Sequence, residues 1–350
     1  MRASDPVRVA VIGTGFISDY HVAGIRAAGT GIVTTIVGRR ADKTASRGAE
    51  LGIPRFSTDH REAFADRDID AIVIATPDAT HMPLAVEGLR AGKSVMVQKP
   101  MAMSSDECRA IIAAARETGS LLTVSFMHRY FPEVRWLREQ IAANAFGKVH
   151  GVRLRNATPG AGWADWFFDR SMVAGGVVMQ LGVHGIDLVQ HLFGPVRELV
   201  AMTATMNPHC WLQDGRVAVM PFEDTATAIY RMASGIQVSH EMSWTEVAGC
   251  DRFRLEVYFE DGTVWLRTDQ GAALAKRKGD GTAAGWSVPA IEPEPLGKAH
   301  HAHWLDVVRK VAPPDDTAAA GLSTLTVAEH IYHAAGTGQK TTVAIQPPSR

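Results

Sequence analysis

The chain has 350 residues, of which 46% are hydrophobic and 21% are charged, and its formal net charge is −1. This length fits two domains, and the composition is ordinary for a globular enzyme. The balanced charge argues against nucleic-acid binding, and no apolar run reaches the roughly 18 residues that a membrane span requires.

The compartment is predicted from the N-terminus and the cysteines. The first residues run straight into a strand without a separate apolar segment, so we expect no secretory signal. Cys108, Cys210 and Cys250 are odd in number and far apart, which argues against a disulfide framework. We therefore expect a cytoplasmic protein.

Strand and helix signals alternate over residues 1–125. The apolar runs VRVAVIG, GIVTTIVG, DAIVIATP, SVMVQKP and LLTVSFM predict strands that are buried on both faces. Helices are predicted over Tyr20–Ala28, in RADKTASRGAELG and MPLAVEGLRAG, and from a capping box at Ser104 and Glu107. The pattern predicts an α/β domain with a doubly wound parallel sheet.

The character of the chain changes over residues 126–350. Helix signals occupy Glu133–Ala143 and part of the stretch from Gly176 to Phe193. Alternating segments follow, namely VRELVAMTATM, TATAIYRM, IQVSHEMSW, FRLEVYFE and TVWLRT, with an Asp-Gly turn in FEDGT. Two helices, His303–Val311 and Thr324–Gly336, come last. We predict an α+β domain with an open, mostly antiparallel sheet.

A glycine-rich loop follows the first strand directly and opens a helix. Gly13 permits a tight turn, Gly15 lets a pyrophosphate approach the backbone, and the helix N-terminus supplies N–H donors. Ser18 holds the third glycine position, so looser helix–strand packing is expected there. The candidate cofactor-binding residues are Gly13, Thr14, Gly15, Phe16 and Ile17. A plain glycine turn is the alternative.

The end of the second strand predicts the type of dinucleotide. Gly38 stands where an NAD-binding protein carries an acidic residue for the ribose hydroxyls. Arg39 and Arg40 follow, and their guanidinium groups suit a 2′-phosphate. We therefore predict NADP(H), with NAD(H) as the second choice. The alternative is a solvated basic pair at a helix start.

Several stretches together resemble the Gfo/Idh/MocA family of oxidoreductases. They are VAVIGTGFISDYH, IVIATPDATHMPLAVEGLRAGKSVMVQKPM, SFMHRYFPEVRWLRE, GGVVMQLGVHGIDLVQHLFG and GLSTLTVAEHIYHAAGTGQKTTV. The resemblance covers nearly the whole chain. It implies an N-terminal Rossmann domain, 1–125, and a C-terminal domain, 126–350, with a large open sheet that often serves oligomer contacts. A homodimer or homotetramer is implied.

The resemblance also implies the site. Lys99 matches the lysine that lies near the nicotinamide and the reacting hydroxyl, and His184 matches the catalytic histidine. We assign cofactor contacts to Thr76, Pro77, His81, Gln98 and Lys99. The family usually has a glutamate before this lysine and often has an aspartate four residues before the histidine, where this chain has Gln98 and Gln180. Without those acids Lys99 loses groups that would hold it protonated, so a neutral amine that accepts a proton is favoured.

Oxidation of an alcohol removes a hydride from carbon and a proton from oxygen. We assign the proton to His184, with Lys99 sharing the hydroxyl and stabilising the developing alkoxide; the reversed roles stay open. The spacing of Gln180, His184, Asp187 and His191 puts four polar groups on one face of an apolar helix. A buried core histidine is one alternative and a metal site is another, but we predict no metal.

Three further residues are candidates for substrate binding beside Gln180 and His184. Arg129 follows the last strand of the first domain, where it either contacts substrate or fixes the domain junction. Asp165 and Trp166 lie in the loop GWADWFFD, which either walls the pocket or packs at an interface. The tract His300–His303 resembles a metal site but is favoured as a helix start.

The predicted function is an NADP-preferring dehydrogenase or reductase of a sugar, cyclitol or related small polyol. A dinucleotide-sensing regulatory protein without catalysis is one alternative, because the two carboxylates are missing. A dihydrodiol dehydrogenase, which acts on a ring diol, is another. No nucleic-acid or membrane partner is predicted.

Overall fold

The computed structural model describes residues 5–246, 252–267 and 271–344. The helices are α1 (Ile17–Ala28), α2 (Ala41–Glu50), α3 (His60–Ala65), α4 (His81–Arg90), α5 (Ser105–Thr118), α6 (Pro132–Ala142), α7 (Val183–Phe193), α8 (Lys298–Val308) and α9 (Thr317–Thr337). The strands are β1 (Val7–Ile12), β2 (Gly31–Val37), β3 (Arg55–Ser57), β4 (Ala71–Ile74), β5 (Ser94–Val97), β6 (Leu122–Val124), β7 (Val149–Ala157), β8 (Val196–Ala204), β9 (His209–Trp211), β10 (Val217–Val219), β11 (Thr225–Met232), β12 (Gln237–Ser243), β13 (Phe253–Phe259), β14 (Gly262–Arg267), β15 (Gly271–Arg277), β16 (Ala283–Ser287) and β17 (Thr341–Thr342).

The first sheet is parallel throughout, with strand order β3-β2-β1-β4-β5-β6. Its central strands β1 and β4 are almost wholly buried, as their mainly apolar sequences predicted. The order reverses at β1, so the sheet is doubly wound and the predicted fold class is confirmed. The sequence did not predict β3 and α3, because β3 is short and largely exposed.

The predicted capping box at the start of α5 is present. The Ser104 hydroxyl accepts a hydrogen bond from the backbone N–H of Glu107 at 3.2 Å. The Glu107 carboxylate in turn accepts from the N–H of Met103 at 3.0 Å. The helix ends before Gly119, whose φ is 67°. Both ends of α5 therefore follow from local sequence.

The second sheet has nine strands in the order β16-β15-β14-β13-β7-β12-β11-β8-β17. Its pairs are antiparallel except for β7 and β12, which run parallel. Alternate residues of β11 are buried and exposed, which gives the sheet one covered face. The prediction of a mostly antiparallel sheet is confirmed. Strand β7 lies at its centre and was not predicted. A two-stranded ribbon, β9 and β10, accompanies the sheet.

The residues form two compact units, Met1–Phe131 with Pro293–Leu322, and Pro132–Glu292 with Ser323–Arg350. The first division lies close to the predicted boundary between residues 125 and 126. The predicted second domain differs, because Pro293–Leu322 returns to the first unit. Trp304 and Leu305 of α8 are buried in the same apolar core as β1 and β2. Burial of these large side chains accounts for the return.

Cys108 and Cys210 are buried and are not joined in a disulfide, whereas Cys250 lies outside the described residues. Within residues 5–246, 252–267 and 271–344, none of the helices combines the length and the apolar character needed to cross a bilayer.

Candidate functional site

The glycine loop lies at the carboxyl end of β1. Gly13 has a φ of 124°, and a Cβ there would overlap the carbonyl oxygen of Ala75 at the end of β4. Gly15 has open space where its Cβ would be, and Phe16 is 53% exposed. Helix α1 begins at Ile17. The loop therefore offers an open backbone surface and a helix N-terminus, which are the features that bind a pyrophosphate.

Ser18 stabilises this loop through a hydrogen bond to Gly13. The side chain is fully buried, and its hydroxyl donates to the carbonyl oxygen of Gly13 at 3.0 Å. The expectation for this position was looser helix–strand packing. The structure adds a specific hydrogen bond that a glycine could not make, so the serine contributes to the shape of the loop.

The end of β2 carries Gly38 where NAD-binding proteins have an acidic residue, and a side chain there would meet two threonines. A Cβ on Gly38 would lie 2.5 Å from Oγ1 of Thr44 and 2.6 Å from Cγ2 of Thr14. Arg39 and Arg40, the next two residues, are exposed. This corner of the crevice is therefore lined by two threonines and two exposed cations instead of a carboxylate.

His81 connects the loops that follow β4 and β5. The side chain is buried, at 1% exposure. Its Nδ1 lies 2.8 Å from the carbonyl oxygen of Pro100, and its Nε2 lies 2.8 Å from that of Thr76. The imidazole thus ties Thr76 and Pro77 to the segment that carries Lys99. This role positions the cofactor-side backbone without requiring direct contact with the cofactor.

Lys99 follows β5 at the same carboxyl edge of the sheet as the glycine loop. It is half-buried, and its backbone N–H donates to Oε1 of Gln98 at 3.3 Å. The amide of Gln98 is 6% exposed. Register places Val97 beside Ile74 of β4 and Val124 of β6. The first unit thus gathers the predicted cofactor residues along one sheet edge, where ligands of such folds bind.

Arg129 lies after β6 with its charge already paired. The guanidinium is 2.6 Å from a carboxylate oxygen of Asp316, and it sits over the ring of Phe126 at 5.5 Å. Tyr130 donates to Asp315 at 3.2 Å. These contacts favour a role in joining the returning segment to the first unit. Substrate contact by Arg129 stays a prediction.

His184 lies in α7, in the second unit. Its side chain and those of Gln180 and Asp187 are buried, at 3%, 5% and 1% exposure. A π-helical turn, Val178–Gly182, directly precedes α7 and contains Gln180. The wider turn breaks the regular spacing that the sequence predicted between Gln180 and His184. Such insertions are rare in proteins as a whole, but many of those that occur lie at functional sites.

The glycine pair before this turn has a packing reason. A Cβ on Gly175 would overlap the hydroxyl of Tyr332, and one on Gly176 would overlap the backbone of Glu223. Tyr332 donates to Oε1 of Glu223 at 2.7 Å, and the N–H of Val178 donates to the same oxygen at 3.1 Å. The sequence did not indicate Glu223 or Tyr332, which anchor the start of the helix that carries His184.

The burial of Glu223 predicts that the stability of the protein depends on pH. Burial raises the pKa of its carboxyl group above the ordinary value. A raised folded-state pKa means that the contribution to stability is present at low pH and is lost as the pH rises through that pKa. Glu223→Gln keeps an acceptor and cannot ionise. We therefore expect the difference in melting temperature, Glu223→Gln minus parent, to be larger at pH 8 than at pH 5 by a few degrees.

The control is Glu139→Gln, which replaces an exposed glutamate of α6 in the same unit. Thermal melts of the three proteins at both pH values make the comparison. An equal difference at pH 5 and pH 8 between Glu223→Gln and the parent would show that this carboxyl group does not titrate as argued.

The loop that carries Asp165 and Trp166 makes contacts within the second unit. Arg216 donates to both carboxylate oxygens of Asp165, at 2.8 and 2.9 Å. Trp166 stacks on Phe167 with ring centroids 4.0 Å apart. These contacts favour the packing interpretation of the loop, and the substrate role of both residues stays a prediction.

The histidine tract begins a helix, as the sequence favoured. His300 and His301 lie in the first turn of α8 and are buried. Within the described part of the chain, no group of three or more histidine, cysteine, aspartate or glutamate side chains is arranged to hold a metal ion.

Two family models match the chain. One, described as an oxidoreductase family with an NAD-binding Rossmann fold, covers residues 7–126. The other, described as the GFO/IDH/MocA C-terminal domain, covers residues 134–265. The chain belongs to the Gfo/Idh/MocA family of oxidoreductases. The predicted resemblance is confirmed, and with it the prediction of a dinucleotide-dependent oxidoreductase.

Three members of the family are similar to this chain over most of its length. A scyllo-inositol 2-dehydrogenase (NAD(+)) of Bacillus subtilis is 30% identical over 272 residues, which are 75% of this chain and 74% of that protein. An inositol 2-dehydrogenase of Mycolicibacterium vanbaalenii is 30% identical over 312 residues, 87% of this chain and 84% of that one. A levoglucosan dehydrogenase solved with NADH and L-sorbose has a TM-score of 0.88 at 19% identity, over 97% of this chain and 99% of that chain, and shows the shared fold.

Proposed function

We propose that this member of the Gfo/Idh/MocA family transfers hydride between a nicotinamide dinucleotide and a hydroxyl-bearing carbon of a sugar, cyclitol or related polyol. The observation that carries the proposal is the sheet edge where the glycine loop and Lys99 lie together. The names of the inositol dehydrogenases that resemble the chain support the substrate class.

The residues of the first unit fit the dinucleotide. Backbone N–H groups from Thr14 to Ile17 would hold the pyrophosphate, because Gly15 leaves open space and α1 begins at once. Gly13 shapes the turn, since its own N–H donates to the carbonyl oxygen of Val37 at 2.8 Å. Thr76, His81 and Gln98 would shape the opposite wall. The bound nicotinamide would supply the hydride acceptor or donor.

The chain's own residues handle the proton. In the oxidation direction we assign His184 as the base that takes the hydroxyl proton, and Lys99 as the amine that shares this proton and stabilises the developing alkoxide. Exchange of the two roles stays open. Gln180 would form a hydrogen bond with a substrate hydroxyl, either as donor through its NH2 group or as acceptor through its carbonyl oxygen.

We also propose a preference for NADP(H). One relative is named for NAD(+), so this preference would be a departure from it. The support is the end of β2, where a carboxylate-bearing side chain at position 38 would meet Thr14 and Thr44. Exposed guanidinium groups of Arg39 and Arg40 would pair with a 2′-phosphate, a charge-assisted and bidentate contact.

Arg39→Ala is expected to raise the Kd of NADPH about tenfold to a hundredfold and to change that of NADH less than about threefold, because only NADPH has the 2′-phosphate. Titration of the intrinsic fluorescence of reduced dinucleotide measures both. The control is Arg67→Ala, which removes an exposed arginine of the same unit. Equal losses for the two dinucleotides would remove the assignment of Arg39.

A homo-oligomer through the second sheet remains part of the proposal. The exposed residues of β8 and β11 include Val200, Met202 and Ile229, which are 40%, 79% and 50% exposed. An apolar patch on an open sheet suits a second copy of the chain. Sedimentation of the parent and of Met202→Glu tests this, since a carboxylate in a buried interface opposes association.

The test of the function is a substrate screen. Polyols, sugars and ring diols are offered with each dinucleotide, and formation of the reduced nicotinamide is followed by its absorbance. We expect turnover of a cyclitol or sugar. Binding of dinucleotide without turnover of any compound would favour a sensing protein instead.

A further inference from the structure

A continuous set of hydrogen bonds, buried in its middle and partly buried at its two ends, leads from the start of α8 to Lys99. Nδ1 of His301 lies 2.8 Å from the carbonyl oxygen of Gly297. Nε2 of His301 lies 2.9 Å from Nδ1 of His21 in α1. Nε2 of His21 lies 2.6 Å from the side-chain nitrogen of Gln98, and Oε1 of Gln98 accepts from the N–H of Lys99.

The direction of every proton in this set follows from its first member. A carbonyl oxygen only accepts, so Nδ1 of His301 carries the hydrogen. Burial lowers the pKa of His301 to about 4, so the ring is neutral above that pH and its Nε2 accepts. Nδ1 of His21 must therefore donate to it.

The same assignment of hydrogens determines that the side chain at position 98 must be a donor. Burial lowers the pKa of His21 well below the ordinary value, and the nearby His301 lowers it further. The ring is therefore neutral, and with hydrogen on Nδ1 its Nε2 presents a lone pair. The group opposite that lone pair must donate. The NH2 of Gln98 does so, and it also donates to the Ser125 hydroxyl at 3.2 Å.

We propose that Gln98 is a positioning residue for Lys99, and that the His301–His21 pair requires an amide donor rather than a carboxylate at position 98. The inference rests on the proposed function of Lys99. It gives a physical reason for the glutamine that stands where the family usually has glutamate: an ionised carboxylate would face the His21 lone pair, with both groups buried and neither donating.

Few other titratable groups face this set. Tyr20 stands edge-on to His21 with centroids 5.3 Å apart, and burial raises its pKa. His300 stands 4.8 Å from His301 between ring centroids, and burial lowers its pKa. Neither changes charge between pH 6 and pH 9. At the other end, the amine of Lys99 lies on the next residue after Gln98, and the imidazole of His81 lies 2.8 Å from the carbonyl oxygen of Pro100.

The decisive variant is Gln98→Glu, assayed as kcat/KM against pH. The introduced carboxyl group and His21 regain a hydrogen bond only when the pair takes up one proton. The ratio of its kcat/KM to that of the parent should therefore be lower near pH 9 than near pH 6 by about tenfold or more, because the buried pair is left without a hydrogen bond at high pH. The parent should lack this descending step.

The double variant His21→Gln with Gln98→Glu should lose the extra step, because the amide NH2 at position 21 donates to the introduced carboxylate at every pH. Gln339→Glu, at an exposed glutamine, is the matched control and should follow the parent. A constant ratio of Gln98→Glu to the parent across this pH range would overturn the proposal, as would an extra step that the double variant retains.

The tautomers give a readout that needs no substrate. Long-range proton–nitrogen NMR spectra of the 15N-histidine-labelled parent should show hydrogen on Nδ1 and none on Nε2 for both His21 and His301, with assignments from His21→Gln and His301→Gln. Hydrogen on Nε2 of either ring would overturn the proposal even if the variants unfold. If the tautomers are as expected but no polyol is oxidised, the proposed function fails and the hydrogen-bond direction stands.

Discussion

Replacement of Lys99 by alanine is expected to lower kcat for polyol oxidation by about 10³-fold. In the proposed mechanism the amine shares the reacting hydroxyl and stabilises the alkoxide that develops as the hydride leaves, so its loss should raise the barrier of the chemical step. The Kd of the dinucleotide should change less than about tenfold, because the glycine loop and the end of β2 would hold the rest of that molecule in the proposed site.

Steady-state kinetics and fluorescence titration of Lys99→Ala separate these two quantities. A small alkylamine in the assay should restore part of kcat, since it can occupy the space of the missing side chain. The control is Lys43→Ala, at an exposed lysine of α2. Retention of more than about a tenth of the parent kcat without added amine would show that Lys99 has no chemical role.

Replacement of His184 by asparagine is expected to lower kcat by about 10²- to 10⁴-fold, the range that proton transfer by a positioned side chain contributes. Asparagine keeps polar atoms in the buried position on α7 but cannot carry a proton between substrate and solvent. The pH profile should also lose the ionisation that belongs to the imidazole. Kinetics from pH 6 to pH 10 measure both effects.

His150→Asn is the control, because His150 is an exposed histidine on β7 of the same unit. Its kcat and pH profile should match those of the parent. If His184→Asn keeps its kcat within about threefold and its profile unchanged, His184 is a buried core histidine, which is the alternative that its position on an apolar helix allows.

Most of the first sheet could be predicted because strands such as β1, β4 and β5 are largely buried and have mainly apolar sequences. Strand β7 escaped prediction for the opposite reason. Its buried residues Val152 and Leu154 alternate with Arg153 and Arg155, and Gly151 interrupts the run. Its central place depends on pairing with β12 and β13, whose paired residues lie 86 to 110 positions further along the chain.

The candidate site shows the same limit. Gln98 and Lys99 could be located from local sequence and family resemblance, but the partners of Gln98 could not. His21 and His301 are 280 residues apart and meet because α8 returns to pack on α1. The signal in the sequence was a lone histidine on the apolar face of α1 and a histidine tract at a helix start. Neither carries information about the other.

The helix of His184 adds a second case. A regular period of 3.6 residues placed Gln180 and His184 on one face, and no periodicity signal announces a π-helical turn. The close approach of Glu223 and Tyr332 to Gly175 and Gly176 also depends on distant parts of the chain. Local patterns predicted the element and its polar residues, while tertiary packing decides their geometry.

The central claim is that this protein moves hydride from a polyol carbon to a nicotinamide with the help of Lys99 and His184. The most direct test incubates the parent, Lys99→Ala and His184→Asn with oxidised NADP or NAD and cyclitols and sugars that carry deuterium on their hydroxyl-bearing carbons. Mass spectrometry of the dinucleotide should find deuterium in the reduced nicotinamide for the parent and little for either variant. A parent that binds dinucleotide and acquires no deuterium from any compound, or variants that acquire it as fast as the parent, would contradict the account.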